Sequence, residues 1–518
     1  MAGSSDTIVD LSQAMVTAPT TAADWLVIAP VALCLTFSAL SLMFRKDVSR
    51  QAPLAIVGFA LLLIVAILLL RHVWMNGTMV MTMGRWLPPF GISFTVDMLG
   101  AMFVLTTAVI ALLASIHALA DLDSTQLRYG FFPFLFLMIG GVCGAFLTGD
   151  IFNLYVWFEV LLISSFGLLV LGSEREQIDG TTKYAYLNLV ATTLFLVATG
   201  YLYGIFGTLN MADIARKAPL LRETAPLMTL AVLYFFAFGM KAAAFPVNFW
   251  LPASYHTPRI VVSALFAGLL TKVGVYALLR SLVVLLPAER AILAELIAWV
   301  AASTMLLGAL GALAQNDIRR LLGFVVVSGI GVMMAGLALG SPLGLSGAMV
   351  YAVHSMLVMT ALYIAAGLAG SITGGFRLDA SGGVYKASPF VAFAILALGL
   401  SVSGLPPFSG LWPKAMLVKA SLDVGAWWLA GAILLTGLLT SIATVRVFLL
   451  ACWRDRETVE GATSGGLLRA APLAALLAMT LAIGVYPQPL LEAANTAAAA
   501  ILDNAGWAAK VFPEAVQP

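Results

Sequence analysis

Long apolar runs separated by short polar stretches organise this chain almost from end to end. A membrane-crossing helix needs about 20 mostly apolar residues to span a hydrocarbon core roughly 30 Å thick. About fourteen stretches meet that requirement, near 25–44, 53–70, 98–120, 131–149, 151–172, 184–206, 226–250, 260–284, 291–314, 321–340, 344–370, 389–422, 426–450 and 470–489. The stretch at 389–422 is interrupted by glycines and prolines. The connections near 173–183, 373–388 and 453–468 are short loops rich in glycine, serine and charge, so the pattern predicts no soluble domain. Residues 1–23 are polar, lack the basic-then-apolar order of a secretory signal, and are expected to form an exposed tail. The alanine-rich end, with Trp507 and Lys510, suits a helix lying in the membrane interface. The fold class is therefore an all-α polytopic membrane protein.

Composition agrees with the pattern. Only 10% of the 518 residues are charged and 61% are hydrophobic, whereas soluble domains carry about 25% charged residues. A surface so poor in charge faces lipid. The net charge of +2, without a long basic run, argues against a nucleic-acid partner. Cys34, Cys143 and Cys452 are scattered, without metal-ligand or disulfide spacing, and read as small apolar residues. No metal, cofactor or nucleophile-base grouping is indicated, so bond-making chemistry is not expected.

Basic residues gather in cytoplasmic loops. One set of alternate loops holds Arg45, Lys46, Arg50, Arg128, Arg175, Lys183, Arg259, Arg319, Arg320, Arg377, Lys386, Arg446, Arg454, Arg456 and Arg469. The other holds Arg71, Arg85, Arg216, Lys217, Arg222, Arg280, Arg290 and Lys510. The imbalance of 15 to 8 places both termini outside the cytoplasm. Lys241, Lys272, Lys414 and Lys419 fall inside or at the edge of spans.

A charge at the centre of a membrane helix costs about 2.5–3.5 kcal/mol on insertion scales and normally faces a protein interior or a hydrated path. Glu159 sits in NLYVWFEVLLISS and is open to two roles, an interhelical hydrogen-bonding residue or a protonatable relay carboxylate. Lys241 lies five residues before Pro246, where the helix must break; it either snorkels to the interface or serves a discontinuous-helix ion site. Lys272 is near mid-span, from which snorkelling is difficult. Lys414 follows SVSGLPPFSGLWP, in which Pro406, Pro407 and Pro413 interrupt a second helix. Two broken spans, each with a lysine, are the mark of an inverted-repeat transporter. His354 is either a titrating bridge between lysines or a packed core residue. Asp97, Asp150 and Asp317 lie at span ends and read as helix caps. Desolvation disfavours a lysine's charged form and a nearby carboxylate favours it, so such groups suit a proton relay.

The segments DIFNLYVWFEVLLISSFGLLVLG, GMKAAAFPVNFWLPASYHTPRIVVSALFAGLLTKVGVYALLR and GLPPFSGLWPKAMLV resemble the MrpD-like component of the Mrp-type multisubunit Na+/H+ antiporters, a family similar to the antiporter-like subunits of respiratory complex I. The resemblance extends over roughly residues 90–450. It implies fourteen helices, two inverted five-helix repeats at 126–285 and 286–452 flanked by 24–125 and 453–518, and broken seventh and twelfth helices. It also implies a pairing of Glu159 with Lys241, and roles for Lys272 and Lys414. One departure is Met359, which stands where the family commonly carries a lysine and cannot hold a proton. The resemblance implies a proton-translocating subunit in a hetero-oligomeric complex with other Mrp-type subunits, exchanging H+ for Na+ or another monovalent cation across a bacterial-type inner membrane. Two alternatives are a proton-pumping subunit of a redox-driven assembly and a scaffold that does not conduct.

Overall fold

The computed structural model describes residues 15–16, 19–86, 90–456, 458 and 466–511. Most of the predicted tail and part of the loop after Trp453 lie outside the described residues. Among the described residues, eleven helices are long and apolar enough to cross a membrane, and three more are apolar but shorter. The apolar helices are α1 (Trp25–Met43), α2 (Val48–Asn76), α3 (Met98–Asp121), α4 (Phe131–Leu147), α5 (Ile151–Leu169), α6 (Arg175–Phe206), α7 (Leu227–Ala242), α8 (Ile260–Leu278), α9 (Ala294–Leu313), α10 (Ile318–Leu339), α11 (Pro342–Thr373), α12 (Pro389–Ser403), α13 (Trp427–Val447) and α14 (Leu467–Val485). Two further helices, α15 (Gln488–Leu502) and α16 (Asn504–Val511), close the described chain.

Capping explains several starts. Asp97, Asp150 and Asp317 precede α3, α5 and α10, and their carboxylates accept the backbone N–H of Gly100 at 3.0 Å, Asn153 at 2.8 Å and Arg320 at 3.1 Å. Each satisfies one of the donors a helix leaves free in its first turn. Asp97 does more than cap. Arg280, expected in a loop, lies instead in a π-helical extension of α8 (Leu279–Leu285), 1% exposed, and donates to Asp97 at 2.6 Å.

The centre of the bundle is α8 packed along α11. Every residue of α8 is buried. Small residues set this approach: a Cβ on Gly268 would collide with the Thr360 hydroxyl, and one on Gly274 would sit 2.8 Å from the backbone nitrogen of Ala242 in α7. With 32 residues, α11 runs roughly 48 Å, longer than the hydrocarbon is thick. The alanine face of α15 (Ala493, Ala494, Ala497, Ala498) is buried, and the helix packs on α3 and α11.

A hairpin and an amphipathic helix are among the elements between spans. A hairpin pairs β1 (Met79–Thr82) antiparallel with β2 (Ser93–Val96), and Gly149 donates to the Ser93 carbonyl, tying the hairpin to the α4–α5 turn. An amphipathic helix, Met211–Leu221, lies between α6 and α7 and packs against α16.

Candidate functional site

The helix α7 stops at Ala242 because Ala243 takes a left-handed conformation (φ 63°), and helical structure resumes at Trp250–Ser254. The opened backbone has partners. The amide of Ala244 bonds the Gly239 carbonyl at 2.8 Å, the Phe245 amide bonds the Thr304 hydroxyl at 2.9 Å, and the Trp250 indole N–H bonds the Met240 carbonyl at 3.1 Å. In the membrane interior such compensation is what permits non-helical backbone. The helix α12 ends at Gly404 (φ 87°) and resumes at Leu411–Asp423. Both interruptions contain a cis X-Pro bond, Phe245–Pro246 and Pro406–Pro407, while Pro413 lies within the resumed helix.

Lys241, on the last turn of α7, is 5% exposed. Its ammonium donates to the Thr192 hydroxyl of α6 at 2.6 Å and lies 4.8 Å from the centre of the Phe158 ring. Glu159 follows Phe158 on α5 and is half-buried, with its Oε1 sealed from solvent and unpartnered. No ion pair joins Glu159 to Lys241 within 4.0 Å. A cavity of about 10 Å³, lined by Tyr184, Asn188 and Trp250, adjoins Lys241. That is roughly the room one water needs.

Lys272 is fully buried in α8 and donates to the Ala267 carbonyl at 2.6 Å. His354 of α11 is 1% exposed; its Nδ1 lies 2.8 Å from the Ser409 hydroxyl, which is 3.1 Å from that of Ser401, and its Nε2 has no partner. Lys414 donates to the carbonyls of Val402 at 3.0 Å and Ser403 at 2.8 Å. These are terminal acceptors of α12, where the helix dipole favours a cation. Beside Lys414 a cleft of about 640 Å³ opens between Leu411–Asp423 and α13, reaching the exposed Lys419–Asp423 ion pair. Met359 is buried in α11.

The three buried lysines thus rest on neutral oxygens, and none belongs to an ion pair among the described residues. The sequence reading missed Thr192, Ser401 and Ser409. Ser409 stands inside the SVSGLPPFSGLWP segment, whose polar residues signal a wet break; nothing local distinguishes Thr192 from any other membrane threonine. Among the described residues no group of three or more His, Cys, Asp or Glu side chains is placed to hold a metal.

The family described as NADH:quinone oxidoreductase/Mrp antiporter, transmembrane region, matches residues 148–440, more than half of the chain and every lysine just described. The D component of the Na+/H+ antiporter of Alkalihalophilus pseudofirmus is 36% identical over 494 residues, 94% of this chain and 99% of the relative. The chain belongs to the MrpD-like antiporter family. The corresponding Bacillus subtilis antiporter component is 33% identical over 461 residues, 88% of this chain and 94% of its own length. Among solved structures, a chain of the Mrp complex from Dietzia sp. DQ12-45-1b superposes with a TM-score of 0.89 at 28% identity, covering 95% of this chain and all of that one. The fold also recurs in respiratory complex I from Thermus thermophilus, with a TM-score of 0.78 at 24% identity over 92% of this chain and 99% of that one. This MrpD-like chain is thus a multi-pass membrane protein of the antiporter and complex I fold.

Proposed function

We propose that the chain is the proton-translocating subunit of a hetero-oligomeric antiporter that moves H+ inward in exchange for Na+ or another monovalent cation moving outward. Protons would pass along Glu159, Lys241, Lys272, His354 and Lys414. The observation that carries this reading is the contrast between two kinds of buried charge. Arg280 is locked to Asp97 at 2.6 Å, a pair in which each charge faces its counter-charge. Lys241, Lys272 and Lys414 hold hydroxyl or carbonyl oxygens instead. A lysine so held gives up its proton without stranding a carboxylate.

The eleven long and three shorter apolar helices among the described residues support a fourteen-span reading, in which two inverted five-helix repeats run over 126–285 and 286–452, broken at α7 and α12. In this reading the basic loops lie in the cytoplasm, both termini outside it, and the membrane is a bacterial-type inner membrane. Each proton entering down a 100 mV potential supplies about 2.3 kcal/mol to drive cation exit. A non-conducting scaffold is the second reading, favoured by Met359, which stands where the family commonly carries a lysine.

Purification of the intact complex and reconstitution into proteoliposomes test the proposal. A Na+ jump that moves protons, measured with an internal pH dye, in a complex of small hydrophobic partners supports it. Copurifying redox subunits with no cation-dependent proton movement would overturn it in favour of a redox-driven assembly.

A further inference from the structure

A polar cavity of about 390 Å³ lies far along α8 and α11 from the lysines, where the start of α8, the end of α11 and the neighbouring ends of α3, α6, α10 and α14 converge. Arg259, Arg319 and Arg469 line it, each from a different segment, together with His117, Asp121 and Glu174. All three arginines belong to the richer set of basic loops.

Their guanidiniums are poorly supplied with acceptors. Arg259 and Arg319 approach Asp123 and Asp317 only at 3.8 Å, beyond hydrogen-bond length. Those carboxylates serve as helix caps, for Gln126 at 2.8 Å and Arg320 at 3.1 Å. The Nε of Arg259 and the Nε of Arg319 are both sealed from solvent and have no partner. Arg319 stacks on Phe376 at 4.0 Å, which fixes its plane. Arg469 spends its Nε on the Ala120 carbonyl at 2.8 Å, leaving its terminal nitrogens to the cavity. Two carboxylates also line the cavity, Asp121, which accepts the Val261 amide at 3.2 Å, and Glu174. His117, 2% exposed, contributes an unpartnered Nδ1.

We propose that this cavity binds a phosphoryl group, from a phospholipid headgroup or from free phosphate, held by Arg259, Arg319 and Arg469. Guanidinium forks match phosphate oxygens in pairs, and charge-assisted bonds of this kind are the strong ones. The cavity is large enough for a glycerophosphate headgroup as well as the bare ion. Its occupant bridges the start of α8 and the end of α11, the two helices that carry Lys272 and His354.

The test uses the intact complex, purified in detergent and washed free of loosely held lipid. Wild type, the Arg259→Gln/Arg319→Gln double variant and the control Arg71→Gln, exposed on α2, which does not line the cavity, are compared. Inorganic phosphate is titrated against the thermal midpoint, and phosphatidylglycerol retention is read by native mass spectrometry. Phosphate stabilisation in wild type and control, lost in the double variant, identifies free phosphate as the occupant. A retained phosphatidylglycerol lost only in the double variant identifies a lipid. Neither signal in wild type, or either signal unchanged in the double variant, overturns the proposal. Should the double variant fail to assemble, Arg319→Lys keeps the charge without the fork; affinity is expected to fall roughly tenfold, and wild-type affinity would equally overturn it.

Discussion

Replacing Thr192 with valine removes one oxygen from the protein interior and leaves its shape nearly unchanged. That oxygen accepts from the Lys241 ammonium at 2.6 Å, in a site where Lys241 is 5% and Thr192 5% exposed. A hydrogen bond to a charged group contributes about 1.5–3 kcal/mol. The neighbouring cavity, about 10 Å³, holds at most one water as a substitute. The charged form of Lys241 therefore loses roughly 10- to 100-fold in population relative to the neutral form. If protons pass through Lys241, Na+-dependent exchange at fixed pH falls by a comparable factor in everted vesicles, with complex assembly unchanged. Thr192→Ser keeps the hydroxyl and is expected to restore exchange. Full exchange by Thr192→Val at matched assembly would refute the claim that this hydroxyl holds a working Lys241.

Three other substitutions separate structure from transport. Asp97→Ala strands Arg280 in the interior and is expected to cost about 3–5 kcal/mol, seen as a lowered thermal midpoint or lost assembly, while the double change Asp97→Leu/Arg280→Met costs far less. Gly274→Ala places a methyl 2.8 Å from the Ala242 nitrogen at the α7 break; the misfit is expected to cost about 1–3 kcal/mol and to depress exchange, both measurable on the purified complex. Met359→Leu conserves apolar volume at a position assigned no proton, and is expected to cost less than about 1.5 kcal/mol and to leave vesicle exchange near wild type.

Hydrophobic runs located the spans because lipid demands an apolar length that sequence displays directly. Helix ends were less legible. The predicted span at 53–70 became α2, Val48–Asn76, since backbone hydrogen bonding continues past the hydrocarbon into polar residues. The β1–β2 hairpin was passed over because its strands, MVMT and SFTV, are four residues each, too short for a window tuned to membrane helices. Arg280 was misplaced for a related reason: it looked like the end of a span, and only tertiary structure brings Asp97, 183 residues away in sequence, to within 2.6 Å. The lysines were legible because a charge in an apolar run is costly and conspicuous. Their partners were not, for a carbonyl such as those of Ala267 and Val402 exists at every residue and becomes distinctive only when an ammonium reaches it.

The most direct test of the relay is Na+-induced dissipation of ΔpH in everted vesicles carrying the whole complex, comparing wild type with Lys272→Ala and Glu159→Gln at matched assembly. Both variants are expected to assemble and to lose exchange; retained exchange in both would contradict the relay and leave the chain as a scaffold.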